Sequence, residues 1–141
     1  MDRYEIRLSG SGGQGLILAG KILAEAVAIF DGRNAVQTQS YGPEARGGAS
    51  KAEVVISDGE IHYPKAVELD LLLSLTQVSC NKYVSDLKND GILIIDSEAV
   101  TEIPKGNYTI YRAPISDIAV SEIGKAVVTN IVALGLSLIH I

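Results

Sequence analysis

The hexapeptide Gly10-Ser11-Gly12-Gly13-Gln14-Gly15 constrains this 141-residue chain more than any other feature, because of what stands on either side of it. Before it, Ile6 and Leu8 alternate with Glu5 and Arg7, the period-two pattern of a strand, predicted over residues 3–9. After it, Leu16, Ala19, Ile22, Leu23, Ala26, Val27 and Phe30 recur at helical spacing, and Gly32 closes the pattern. A strand that enters a helix through G-x-G-x-x-G is the opening of a βα unit whose backbone N–H groups can cradle a phosphate at a helix N-terminus. The same glycines can also serve close strand-to-helix packing with nothing bound.

The rest of the chain repeats the alternation. Strands are predicted at 34–39, at 50–56, at 70–75 (DLLLSL, apolar enough to be covered on both faces), at 92–96 and at 108–112. Asp58-Gly59 suits a tight turn into a short return strand over 60–63, which Pro64 ends. A helical pattern covers 76–89. Two further helices are expected between Ser116, a candidate cap, and Ile141, separated near 127–129. Strands alternating with helices give an α/β, Rossmann-like layered domain with a mainly parallel sheet and helices on both faces. The length supports one domain, 1–141. The chain stops inside an apolar helical pattern, which reads as a truncated C-terminus, and Leu136–Ile141 resembles the translation of a sequencing adapter.

Composition narrows the function classes. A net charge of -5 argues against general nucleic-acid binding. A single cysteine, Cys80, cannot form an internal disulfide or hold an iron–sulfur cluster, and His62 and His140 have no metal-ligand spacing. No metal site is expected. Cys80 reads as a buried apolar residue and His62 as a surface residue without a role. The charged N-terminal decapeptide is unlike a secretory signal and no stretch is long and apolar enough to span a bilayer, so a cytoplasmic protein without membrane contact is expected.

Dinucleotide-binding halves place an acidic residue at the end of the second strand to grip the ribose. Here that strand ends Gln37-Thr38-Gln39, with neither an acid nor an arginine, which disfavours NAD and NADP. Gln14-Gly15-Leu16 stands where a Walker loop needs Lys-Ser/Thr, which disfavours NTP hydrolysis. A different pyrophosphate-bearing ligand, such as an acyl-carrier nucleotide, fits better. The loop after the second strand, Ser40 to Ser50, falls on the same carboxyl edge as the glycine turn and supplies Tyr41, Gly42, Glu44 and Arg46, with Lys51 just beyond. An aromatic face, a guanidinium and an ammonium suit an adenine nucleotide. The plainer alternative is a surface ion pair of Glu44 with Arg46 and a packed Tyr41. Asp96, at the end of its strand, can bond a ribose or cap the next turn. Asn130 can line the pocket or a subunit contact, or simply begin a helix.

GSGGQGLILAGKILAEA followed by QTQSYGPEARGGASKAEVVISD, with Tyr63-Pro64, DLLLSLTQ and the late TNIVALG, resembles the gamma subunit of the 2-oxoacid:ferredoxin oxidoreductases, most closely the 2-oxoglutarate branch. The resemblance runs from about Arg3 to Asn130. It implies a complex that decarboxylates a 2-oxoacid on thiamine diphosphate with Mg2+, passes electrons through iron–sulfur clusters to ferredoxin, and transfers the acyl group to coenzyme A. Thiamine diphosphate and the clusters are expected on partner subunits, since this chain has no G-D-G motif and one cysteine. For this chain the resemblance implies coenzyme A docking, with Gly10, Ser11, Gly12, Gly13, Gln14 and Gly15 at the diphosphate. Tyr41, Gly42, Glu44, Arg46 and Lys51 would serve the adenosine and remaining phosphate. No residue here is expected to be catalytic. Two alternatives stand beside it: a purely structural bridging subunit, and a stand-alone nucleotide-binding oxidoreductase domain.

Overall fold

The computed structural model describes residues 3–11, 15–39 and 49–123. Six strands form one sheet: β1 (Arg3–Gly10), β2 (Asn34–Gln39), β3 (Ser50–Ser57), β4 (Leu69–Ser74), β5 (Leu87–Asp96) and β6 (Tyr108–Ala113), in the order β2-β3-β1-β4-β5-β6. The pairings β1–β4, β4–β5 and β5–β6 are parallel, and β1–β3 and β2–β3 antiparallel. The α/β class and the mainly parallel sheet are borne out.

Helices cover both faces. α1 (Leu16–Phe30) lays Leu16, Ala19 and Leu23 on Ile6, Leu8, Val54 and Ile56, and α3 (Ile115–Ile118) adds Ile115 to the same core before a π-helical turn, Ala119–Ile123. On the opposite face α2 (Gln77–Tyr83) packs Cys80 and Tyr83 against Leu72, Leu93 and Ile95. β4 is buried on both sides, which is why DLLLSL carries no alternation. Cys80 is fully buried, and burial pushes its thiol pKa up. Among the described residues no helix is long and apolar enough to cross a membrane.

Three sequence expectations are corrected. Residues 60–63 form no strand, because β3 already has β1 on one side and β2 on the other, leaving no edge for a return. Asn34 instead fixes the bend at Asp58–Gly59, its Nδ2 donating to the Gly59 carbonyl at 2.7 Å. The helix expected over 76–89 ends as α2 at Tyr83 and a 3₁₀ turn, Val84–Asp86. Leu87 then pairs with Leu69 in the sheet, and Asp90 takes a left-handed φ of 65°, so 87–90 belong to β5. Ser116 caps nothing. Its backbone N–H donates to Asp96 Oδ2 at 3.1 Å, while Asp96 Oδ1 accepts from Glu98 N–H at 3.1 Å. The capping role of Asp96 is thereby seen. Glu5 and Arg7, the charged half of the alternating pattern, are buried too, since the face of β1 away from α1 is covered as well. The expected helices beyond residue 123, with Asn130, lie outside the described residues.

Candidate functional site

β1 delivers its chain to the glycine turn through Ser9 and Gly10, both buried. Ser9 Oγ donates to the Leu73 carbonyl at 2.8 Å and lies 3.2 Å from Ser74 Oγ, while Leu75 N–H donates to the Ser9 carbonyl at 2.9 Å. These bonds lock the carboxyl ends of β1 and β4 together just below the turn. On the far side of the turn, Gly15 holds a left-handed φ of 74°, a conformation that costs an L side chain about 1–2 kcal/mol. Gly15 is the N-cap of α1, and no acid stands in the first turn. The positive end of the α1 dipole lies at Gly15.

The second loop joins the same edge. β3 runs against β1 and β2 against β3, so β1 and β2 point the same way. In register Gly10 faces Ser50 and Gln39 faces Ala52. Both flanks of residues 40–48 are thus anchored beside the glycine turn, as the sequence predicts. Gly12, Gly13, Gln14, Tyr41, Gly42, Glu44 and Arg46 lie outside the described residues. At the end of β2, where a ribose-gripping acid would stand, Gln37 Nε2 donates to Gln39 Oε1 at 2.7 Å.

Lys51 faces Ser9 in register, one step below the turn, and its side chain extends over the α2 face. Its ammonium lies 3.9 Å from Glu53 Oε1 and 5.6 Å from the centre of the Tyr83 ring. Ser11 is half-buried at the mouth of the turn.

Sequence reasoning missed the cluster beneath Lys51. Arg7 and Glu53 face each other across β1 and β3, and the buried guanidinium reaches Glu53 Oε2 at 2.6 Å and 2.8 Å and Asp86 Oδ2 at 2.5 Å. It also lies 4.9 Å over the Tyr83 ring. Burial alone would lower the Arg7 pKa, but the hydrogen bonds and charges of Asp86 and Glu53 outweigh it and hold it above its ordinary value. No local motif signals this cluster: its members sit 46 and 79 positions apart and meet only through the sheet register. Among the described residues no group of His, Cys, Asp and Glu can hold a metal ion, and His62 is exposed beside Glu60 at 3.6 Å.

The described residues thus form a layered α/β domain in which the strand feeding the glycine turn and both flanks of the second loop share one sheet edge. The chain belongs to the Pyruvate ferredoxin/flavodoxin oxidoreductase family, whose model matches residues 5–139. It is 53% identical over 135 residues to the 2-oxoglutarate synthase subunit KorC of Methanocaldococcus jannaschii, covering 94% of this chain and 72% of that protein. The gamma subunit of a keto/oxoacid ferredoxin oxidoreductase from Geobacter sulfurreducens superposes with a TM-score of 0.90 at 54% identity, over 98% of this chain and 75% of that one. The fold also matches a 2-oxoglutarate:ferredoxin oxidoreductase from Magnetococcus marinus, whose structure holds 2-oxoglutarate, coenzyme A and succinyl-CoA. That match has a TM-score of 0.82 at 22% identity and covers 96% of this chain and 24% of that one. The resemblance to oxoacid:ferredoxin oxidoreductase gamma subunits is borne out.

Proposed function

We propose that this gamma-type subunit works in a complex that converts 2-oxoglutarate, coenzyme A and oxidised ferredoxin to succinyl-CoA, carbon dioxide and reduced ferredoxin, and that its own contribution is to dock coenzyme A. The observation that carries the docking role is the register at the sheet edge, Gly10 opposite Ser50, which brings the glycine turn and the flanks of 40–48 to one place. The positive end of α1 behind Gly15, with no acid in its first turn, supports a diphosphate there. The 2-oxoglutarate assignment is supported by the 53% identity to a 2-oxoglutarate synthase subunit.

In this reading Gly10, Ser11 and Gly12–Gly15 receive the diphosphate through backbone N–H groups. Tyr41 lies against the adenosine, Gly42 and Glu44 shape the loop, and Arg46 and Lys51 neutralise phosphate charge. Thiamine diphosphate with Mg2+ and the iron–sulfur clusters belong to partner subunits, ferredoxin meets the complex through them, and the setting is cytoplasmic. Holding the thiol end of the coenzyme next to the acyl donor raises its effective concentration, so binding is itself the catalytic contribution of this chain. No acid or base on the chain is needed.

The test is steady-state kinetics of the assembled oxidoreductase carrying Arg46→Ala. The reading expects a raised KM for coenzyme A with an unchanged KM for the 2-oxoacid. An unchanged coenzyme constant removes Arg46 from the site.

A further inference from the structure

The strand order β3-β1-β4-β5 sets the order of the connections along the carboxyl edge. Residues 40–48 come first, then the glycine turn, then the β4–α2 turn at Leu75 and Thr76, then the crossover after Asp96. β1 and β4 are parallel neighbours, yet α1 leaves β1 on one face of the sheet and α2 leaves β4 on the other. Where neighbouring connections diverge in this way, a crevice opens outside the strand ends and ligands lie in it. The docking reading uses only the β3–β1 side of the crevice, for adenosine and diphosphate. The β1–β4 side, where the segment DLLLSLTQ ends in Thr76-Gln77, has no role in it.

Register places Thr76 at that side. Ser9 pairs with Ser74, and Leu75 N–H donates to the Ser9 carbonyl at 2.9 Å, so Leu75 stands beside Gly10. The extended backbone of Thr76 (φ -139°, ψ 156°) carries the chain one step past it, and the residue is half-buried. Its carbonyl accepts from Cys80 N–H at 3.1 Å and from Ser79 Oγ at 3.0 Å, and its Oγ1 accepts from Ser79 N–H at 3.2 Å. None of these bonds uses the hydroxyl proton, and among the described residues no acceptor takes it. Gln77 braces the turn from the other side. Its Oε1 accepts from the N–H groups of Thr101 and Glu102 at 2.9 and 3.1 Å, and its Nε2 donates to the Glu102 carbonyl at 2.6 Å. The crossover after β5 is thereby tied to the β4–α2 turn as one rim.

A coenzyme with its adenosine over residues 40–48 and its diphosphate at the end of β1 continues along the edge over the next strand, β4, about 4.8 Å further on. We infer that the pantetheine arm of coenzyme A crosses the β4–α2 turn, where the Thr76 hydroxyl donates to one of its amide carbonyls, and runs on along the rim that Gln77 holds. The inference rests on the coenzyme docking reading and adds to it a direction, adenosine toward β2 and thiol toward β6, and a contact for the arm.

The assembled oxidoreductase carrying Thr76→Val or Thr76→Ser tests it, with the KM for coenzyme A and the inhibition constant of adenosine 3′,5′-bisphosphate, the nucleotide half without the arm. Thr76→Val should raise the KM roughly five- to tenfold, as for one lost hydrogen bond whose acceptor is left unpaired, and Thr76→Ser by less than about twofold. The inhibition constant should stay unchanged in both, because the bisphosphate does not reach the turn. Loosening of the edge through the lost cap would move both constants. Thr76→Asn keeps the cap through its amide oxygen but replaces the hydroxyl by a longer group, and gives the same reading where Thr76→Val does not assemble. Equal changes in the two constants, or no change in either, overturn the inference. Arg46→Ala, measured alongside, separates its failure from that of the docking reading. If Arg46→Ala weakens both ligands while the Thr76 variants change nothing, the path of the arm falls alone. If Arg46→Ala changes nothing either, the docking reading falls with it.

Discussion

Gly10 and Ser50 face each other at the last rung of the β1–β3 ladder, so the strand that feeds the glycine turn and the strand that closes the second loop meet at the same point of the sheet edge. Neither residue carries a reactive group. Their pairing matters because it turns two loops, distant in sequence, into neighbours.

Two left-handed glycines among the described residues separate ligand binding from stability. Gly15 (φ 74°) ends the turn and Gly32 (φ 67°) ends α1, where a Cβ would meet open space. Alanine at either position should cost about 1 kcal/mol of stability, read by denaturant unfolding. Only Gly15→Ala should also raise the KM for coenzyme A, because Gly32 lies at the other end of the helix.

Arg7 is a buried cation held between Glu53 and Asp86. Arg7→Leu removes the guanidinium that satisfies Glu53, a carboxylate only 4% exposed, and should cost about 3–5 kcal/mol. Urea unfolding gives the value. Asp86→Asn, at the partner with 43% of its side chain in solvent, should cost far less.

Asp96 joins two elements through two backbone N–H groups, those of Glu98 and Ser116. Asp96→Ala should lower stability by roughly 1–2 kcal/mol. Hydrogen exchange should speed up at the start of α3 while the β1–β3 ladder stays protected.

Cys80 gives a pH signature. Its thiol is neutral in the fold and its pKa lies above the ordinary 9.0, so the unfolded chain loses this proton first as pH rises. The contribution is fully present below pH 9 and is lost as pH climbs from there through the raised folded value. Unfolding midpoints of Cys80→Ala and the parent chain should therefore converge in shape below pH 9 and diverge above it, with the parent falling faster. Native Cys80 should also resist alkylation until the chain unfolds.

On substrate, the assembled enzyme should favour 2-oxoglutarate over pyruvate by at least about tenfold in kcat/KM. Comparable values for the two would remove the 2-oxoglutarate assignment while leaving the family intact.

Much of this was legible in the sequence, for reasons that can be named. The G-x-G-x-x-G context located β1 and α1 because backbone conformation at glycines is a local property, and Gly32 ended the helix where expected. DLLLSL read as a central strand because burial on both faces leaves an unbroken apolar run. What failed depended on neighbours far away in the chain. The return strand at 60–63 was excluded by β2 occupying the edge of β3, and 87–90 joined β5 because Leu69 recruits Leu87. Arg7 looked like the polar half of an alternating strand, and only the pairing with Glu53, together with Asp86 and Tyr83 arriving from α2 and the turn after it, makes it a buried anchor.

Whether this subunit holds coenzyme A is decided by calorimetric titration of the assembled complex with coenzyme A, 3′-dephospho-coenzyme A and NAD. Coenzyme A should bind more tightly than the other two, and Arg46→Ala should weaken it. Coenzyme A binding no tighter than NAD, or binding untouched by Arg46→Ala, would contradict it.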